Sequence, residues 1–467
     1  MSRLLLSAAH KSSGKTTVSI GLCAALRSRG LRVQPFKKGP DYIDPMWLSQ
    51  AAARPCYNLD FYIQSQEEIL ATFTSHASHA DLALVEGNKG LYDGLDLDGS
   101  NSNAALAKLL ALPVVLVLDT RGVIRGVAPL LLGYQAFDPA VNIAGVILNN
   151  VGGSRHEAKL RAVVEHYTDI PVLGAVHHDT EMQILERHLG LVPANEAEAA
   201  QAQIQAIGQR IAKQVDLDRL LAVAAAAPPL VAPTTPRASL KTGETVRVAI
   251  ARDRAFGFYY ADDLDALRAA GAELLPFDAL HDPCLPEADA LFIGGGFPES
   301  FAGELAANRS LRQDIRRAIE AGLPTYAECG GLMYLARSLT SQGTTHEMVG
   351  IIPGDVVMHA KPVGRGYVRL KPTQAWPWLA PGEEMGSIQA HEFHYSSLEN
   401  LPPGLTYAYA VQRGHGIDGR YDGFVYKNLL ASYTHLRGTA AFDWPVRFLE
   451  WVRRCHIHHQ PRRASAG

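Results

Sequence analysis

Short, almost uninterrupted apolar runs recur along the first half of the chain: Leu4 to Ala8, Leu82 to Glu86, Val114 to Asp119, Ile143 to Asn149 and Val172 to Val176. Such runs suit strands buried on both faces, as in a parallel sheet, and they alternate with stretches of helical periodicity. One of these, "TVSIGLCAALRSRG" (17–30), is expected to be an amphipathic helix. Together they predict a doubly wound α/β domain. The pattern breaks at "AAAAPPLVAPTTPRASLKTGE" (224–244), where Pro, Ala, Thr and Ser dominate and no apolar face recurs. Residues 223–245 are therefore expected to be a linker. A second α/β series starts at Val246 ("VRVAIARD") and continues through "ALFIGGGFPE" and "PTYAECGGLMYL". Two unlike α/β domains are predicted, 1–222 and 246–467, with no internal repeat.

Composition adds limits. At 467 residues the chain exceeds what one core usually serves. With 47% hydrophobic and 19% charged residues it suits a globular enzyme, and a formal charge of −3 gives no reason to expect nucleic acid or an acidic membrane surface as partner. No apolar run reaches membrane-spanning length, and the apolar stretch near the N-terminus is too short for a signal peptide. The five cysteines (Cys23, Cys56, Cys284, Cys329, Cys455) are dispersed without a CxxC pair, which reads as reduced thiols in the cytoplasm. The tail "CHIHHQPRR" reads as a frayed polar terminus rather than a metal site.

The first candidate chemistry is "AAHKSSGKTT" (8–17). In a phosphate-binding loop, backbone N–H groups at a helix N-terminus wrap the phosphates, a Lys neutralises charge and a Ser/Thr hydroxyl ligates Mg²⁺. Gly14-Lys15-Thr16 fits, although Ala9 stands where the motif's first glycine is expected. Ser12, Ser13 and Thr17 complete the loop, and Lys11, off the motif's spacing, is a further candidate phosphate contact. In "PFKKGPDYIDPMW" (35–47), Lys37 and Lys38 are expected to reach an anionic ligand, and Asp41 and Asp44 follow a Gly-Pro turn. In "LVEGNKGLYDGLD" (84–96), Glu86 ends a strand, where ligand crevices of open α/β sheets lie, and Asp93 sits in the loop beyond. These carboxylates beside a phosphate loop suggest Mg²⁺ ligation and a phosphorylated intermediate. Asn149, at another strand end, reads either as an adenine contact or as a turn former.

The second is "PTYAECGGLMYLARSL", which runs a strand into Cys329, two glycines and an apolar helix. This is the pattern of a nucleophile elbow, which lifts a thiol to a helix N-terminus. Gly330 is placed to offer an oxyanion N–H, and "FIGGGFPE" supplies a second donor from Gly295 or Gly296. His435, closing "NLLASYTH", is the expected base; His391 and His394 are expected to line a substrate pocket or a loop. A carboxylate two residues after the base is absent, since that position is Arg437. A Cys–His dyad is therefore expected, its third member missing or elsewhere in the chain.

These segments, with "NLD" (58–60), "GYV" (366–368), "HEFHYS" and "SYTHLRG", resemble the cobyrinic acid and hydrogenobyrinic acid a,c-diamide synthase family over nearly the whole chain. The resemblance implies a first domain like dethiobiotin synthetase, P-loop NTPase-like. It implies a second domain like a class I glutamine amidotransferase, flavodoxin-like, of the subgroup that lacks the usual triad Glu. It implies that Cys329 and His435 release ammonia from glutamine through a glutamyl thioester. ATP with Mg²⁺ would then phosphorylate ring acetates of a tetrapyrrole, which ammonia converts to amides in cobalamin biosynthesis. Ammonia is mostly protonated in neutral water, so the resemblance also implies delivery along a dry path.

By the same carry-over, Lys15 and Thr16 hold phosphates and Mg²⁺, and Asp41 and Glu86 join Thr16 on the metal. Asp41, Tyr42, Ile43, Asp44 and Asp93 position substrate or intermediate. A homodimer is left open. Two departures bear on the macrocycle: the pair Lys37-Lys38, where the family often has one basic residue, and the aromatic bulk of "CYNLDFY". Sirohaem, nickel-sirohydrochlorin and the four-amide cobyric acid synthase reaction stay open as alternatives. From another class, so does a P-loop regulatory ATPase with a fused binding module, although "AECGGLMYL" and "SYTH" speak against it.

Overall fold

The computed structural model describes residues 1–184, 186–187, 190–196, 199–230, 243–379 and 382–459. The chain forms two compact units, Met1–Pro236 and Arg237–Gly467. Of the expected linker 223–245, the first residues belong to a helix, Leu217–Ala225, and 231–242 lie outside the described residues.

Unit one is a seven-stranded sheet, β1 (Arg3–Ala8), β2 (Val33–Lys38), β3 (Tyr57–Leu59), β4 (Leu82–Glu86), β5 (Val114–Asp119), β6 (Ile143–Val151) and β7 (Val172–His177), in the order β3-β2-β4-β1-β5-β6-β7. Every pairing is parallel. The crossover direction reverses beside β1, so the strand ends of β1 and β4 open onto a crevice where ligands bind in such sheets.

Helix α1 (Lys15–Ser28) follows β1. It is not amphipathic as expected: residues 18 to 26 are buried all round. A helix the periodicity did not single out, Ala200–Gln214, covers its outer side. The two backbones meet at glycines: a Cβ on Gly21 would fall 2.3 Å from Ile211 Cγ1, and one on Gly208 would fall 2.8 Å from Ala24 Cβ. Strands β2 and β3 were also absent from the predicted series, because β2 ends in two lysines and β3 is three residues long.

Unit two is built on a nine-stranded mixed sheet. Five strands are parallel, in the order Ala272–Phe277, Val246–Ala251, Ala290–Ile293, Thr325–Glu328, Leu429–Ser432. Four antiparallel strands extend it: Tyr421–Tyr426, Thr406–Arg413, Gly364–Pro372 and Ile388–His394. A separate four-stranded sheet follows the elbow helix. One face of the large sheet is filled by an aromatic cluster around Tyr326, Trp376, Trp378, Trp444 and Phe448. The tail expected to fray instead continues the helix Trp444–His459, whose Phe448, Leu449 and Val452 are anchored in that core; residues 460–467 lie outside the described residues. No helix among the described residues is long and apolar enough to cross a membrane.

Candidate active site

The loop between β1 and α1 spans residues 9–14. Gly14 takes a left-handed φ of +84°, and a Cβ there would sit 2.1 Å from Asn149 Nδ2. That nitrogen donates to the Ser13 carbonyl at 2.9 Å. Asn149 therefore braces the loop through one N–H of its amide. At the position of the missing glycine, the Ala9 carbonyl accepts the Tyr134 hydroxyl at 2.7 Å. Ser13 is buried and donates to the His10 carbonyl (2.8 Å), Lys11 and Ser12 are exposed, and Thr17 is half-buried. Lys15 is buried, and that burial lowers its pKa.

Behind the loop stands a closed ionic cluster. Thr16 Oγ1 donates to Glu86 Oε1 at 2.7 Å and lies 3.2 Å from Asp44 Oδ2. The Lys37 ammonium bonds Glu86 Oε1 at 2.8 Å and Asp44 Oδ2, with Asp41 Oδ2 at 3.7 Å. Lys37 is thus committed to carboxylates, not presented to an anion as expected. Burial works against its charge, but Asp44, Glu86 and Asp41 hold it well above its ordinary value. Burial raises Glu86, and burial with the adjoining Asp44 charge pushes Asp41 up to about 7. Burial acts on Asp44 in the same sense, yet the Lys37 ammonium keeps it low.

Of the expected set Thr16, Asp41 and Glu86, Thr16 bonds Glu86 directly and Asp44 joins them. Asp41 Oδ1 accepts the N–H groups of Ile43 (2.9 Å) and Asp44 (3.2 Å) at the start of the helix Ile43–Ala52, while its Oδ2 stays 3.7 Å from the Lys37 ammonium. Tyr42 and Ile43 are themselves buried. Lys38 reaches Asn88 Oδ1 at 3.2 Å, and burial lowers it to about 8. Asp93 closes its own turn by accepting Gly90 N–H at 2.9 Å. Among the described residues no group of three or more His, Cys, Asp or Glu side chains is arranged to hold a metal ion.

In unit two, Cys329 follows the strand Thr325–Glu328 directly and caps the helix Gly330–Leu335 at φ +48°, ψ −100°. A positive φ at a non-glycine residue is strained, as an elbow requires. Its N–H donates to the Ser432 carbonyl at 2.7 Å. The flanking glycines are there for close approach: a Cβ on Gly331 would meet Ile293 O at 2.2 Å, and one on Gly330 would meet Gly296 N at 3.0 Å. Gly295 and Gly296 pair with Phe258 and Phe256. A Cβ on Gly295 would strike His435 Cε1 at 2.5 Å, so the imidazole rests on that glycine. Elbow, glycine turn and His435 thus meet in one place.

His435 is fixed by its backbone and by its neighbours. Its N–H donates to the His391 carbonyl at 2.8 Å, and the two rings stack with centroids 5.0 Å apart. His391 is buried, with Nδ1 3.2 Å from the Tyr260 hydroxyl, and His394 stacks on Tyr433 at 3.9 Å. Both lie on the strand Ile388–His394, not in a loop. Desolvation opposes charge on His435, but the sulfur of Cys329 and then the Glu328 carboxylate push it up to about 10.

The comparisons with known proteins divide the chain in the same two parts. Residues 7–192 match the CobQ/CobB/MinD/ParA nucleotide binding domain, and 247–440 match the CobB/CobQ-like glutamine amidotransferase domain. The cobyrinate a,c-diamide synthase of Magnetococcus marinus is 49% identical over 98% of this chain and 99% of its own. That of Methanosarcina acetivorans is 44% identical over 98% of this chain and 97% of its own. The chain belongs to the cobyrinate a,c-diamide synthase family. A solved glutamine amidotransferase from Thermotoga maritima covers 46% of this chain and 83% of its own at 15% identity and a TM-score of 0.30. The fold of this family member is read from its own strand order.

One part of the amidotransferase half was missed from sequence. No carboxylate follows His435, and Arg437 turns away to Asp262 at 2.8 Å and over the Tyr260 ring. A carboxylate nevertheless stands beside the imidazole: Glu328 Oε2 lies 3.5 Å from His435 Nδ1, both side chains almost fully buried. The expected dyad thus has a third group, contributed by the residue just before the nucleophile. The signal available was strand periodicity, which puts Tyr326 and Glu328 on one face.

Proposed function

We propose that this protein converts the a and c acetate side chains of cobyrinate into amides, with ATP as driving force and glutamine as nitrogen source. The single observation that carries the proposal is the coexistence in one chain of an elbow thiol beside His435 and a phosphate loop whose Thr16 bonds Glu86 and Asp44. The names of the full-length relatives supply the macrocycle.

A carboxylate is a poor electrophile, and its oxygen leaves only once phosphorylated. ATP therefore converts the acetate to an acyl phosphate, and ammonia displaces phosphate to leave the amide. Lys15 and the N–H groups of residues 12–16 receive the phosphates. The ammonia is made at Cys329: its thiol proton rests on His435, the sulfur attacks the glutamine side-chain carbonyl, and His435 gives that proton to the departing nitrogen. Gly330 and Gly295 or Gly296 offer N–H groups to the oxyanion. Water then hydrolyses the thioester to glutamate.

Magnesium suits the acid cluster. Thr16, Asp44 and Glu86 present oxygen donors, and Glu86 Oε2 is buried with no hydrogen-bond partner. Those three residues would hold the ion, which when bound neutralises triphosphate charge. Asp41 and Asp93 are assigned to substrate.

The test is glutamine hydrolysis and amide formation by wild type and Cys329→Ala, on a panel of cobyrinate, hydrogenobyrinate, sirohaem and nickel-sirohydrochlorin. The variant is expected to lose hydrolysis and to keep amidation driven by added ammonium, with cobyrinate or hydrogenobyrinate as the substrate amidated. Full glutaminase activity without Cys329, or preference for another macrocycle, contradicts the proposal.

A further inference from the structure

Glu328 ends the strand Thr325–Glu328, one residue before the nucleophile. Its Oε2 stands 3.5 Å from His435 Nδ1. Its Oε1 accepts the Leu436 N–H at 2.9 Å and the Tyr326 hydroxyl. The carboxylate therefore has one oxygen pinned by two donors and the other directed at the imidazole, both side chains being almost fully buried. The remaining groups around the ring do not substitute for it. His391 stacks on the ring, and burial with the His435 and Arg437 charges holds it well below its ordinary value, so it is neutral. Arg437 is taken by Asp262. Cys329 is the proton donor itself.

We propose that Glu328 is the positioning residue of this amidotransferase site, the carboxylate that orients His435 and stabilises its charged form. It does the work of a triad acid from a position N-terminal to the nucleophile. The inference rests on the Cys329–His435 reading of glutamine hydrolysis. In the reaction, Glu328 faces Nδ1–H, which leaves Nε2 to hold the proton given up by the thiol. The thiolate bonds to the amide carbon, and as the C–N bond breaks the proton on Nε2 passes to the leaving nitrogen, giving NH₃ and the thioester. Without the carboxylate the imidazole loses its tautomer preference and the imidazolium loses a partner.

Steady-state glutamine hydrolysis across pH, with full-length Glu328→Gln, Tyr326→Phe and Cys329→Ala, tests this. Glu328→Gln is expected to lower kcat on the order of 10²-fold with little change in KM for glutamine. Its basic limb, set by deprotonation of His435, should move to lower pH. Amidation with added ammonium should be unchanged, which reports that the protein is folded. Tyr326→Phe keeps the carboxylate but removes a donor that pins it, and should move the same limb in the same direction by less. An unchanged kcat and basic limb in Glu328→Gln, while Cys329→Ala loses hydrolysis, overturns the role of Glu328 and leaves the thiol reading intact. Hydrolysis persisting in Cys329→Ala overturns the thiol reading instead. If Glu328→Gln also loses ammonium-driven amidation, Tyr326→Phe decides, and an unmoved basic limb there overturns the proposal.

Discussion

Lys37 is a buried cation among three carboxylates, and it neutralises Asp44 and Glu86. Removing one partner of a buried ion pair leaves uncompensated charge and typically costs about 3–5 kcal/mol. Lys37→Met is therefore expected to lower the unfolding free energy of unit one, measured in urea, by that order without Mg²⁺, and by distinctly less when Mg²⁺ is added. An equal loss with and without the ion argues against Asp44 and Glu86 as its ligands. The acids of this cluster were legible as chemistry because they flank Gly-rich turns beside a phosphate loop. Which of them face Thr16 was not, since that depends on Asp41 turning back to the start of a helix. Glu328 was hidden for a related reason. Its partner His435 is remote in sequence, and only the parallel pairing of Thr325–Glu328 with Leu429–Ser432 brings them together.

Among the elements, the helix that carries the phosphate loop is held by a glycine-lined crossing. A side chain at Gly21 would overlap Ile211, and one at Gly208 would overlap Ala24. Overpacking a core typically costs about 1–3 kcal/mol, so Gly208→Leu should lower the thermal midpoint and weaken ATP binding together. Gly133→Ala is the control: it lies in the helix Val127–Phe137 with nothing within 4 Å, and should stabilise by about 0.5–1 kcal/mol. A calorimetric scan of both variants checks the contrast. The parallel strands were legible because burial on both faces writes them as apolar runs. The antiparallel half of the second sheet was not, because strands such as Gly364–Pro372 mix buried and exposed positions with irregular spacing. The helix Ala200–Gln214 was missed because its stripe of Ile204, Ile207 and Ile211 is diluted by Ala and Gln.

For the molecule as a whole, the two compact units carry chemistries that neither needs for its own fold: a thiol site that frees nitrogen and a phosphate site that activates an acid. The division into unlike α/β halves could be read from where the apolar pattern stops and restarts, and their joint purpose from motifs on both sides. The central claim is that nitrogen released at Cys329 ends in the amide made beside Lys15. Isotope tracing tests it most directly: cobyrinate, ATP and glutamine labelled with ¹⁵N in the side-chain amide, in the presence of unlabelled ammonium, with the product weighed by mass spectrometry. The account predicts ¹⁵N in both new amides from wild type and only unlabelled nitrogen from Cys329→Ala. Product from wild type carrying the bulk nitrogen, or labelled product from the variant, would contradict it.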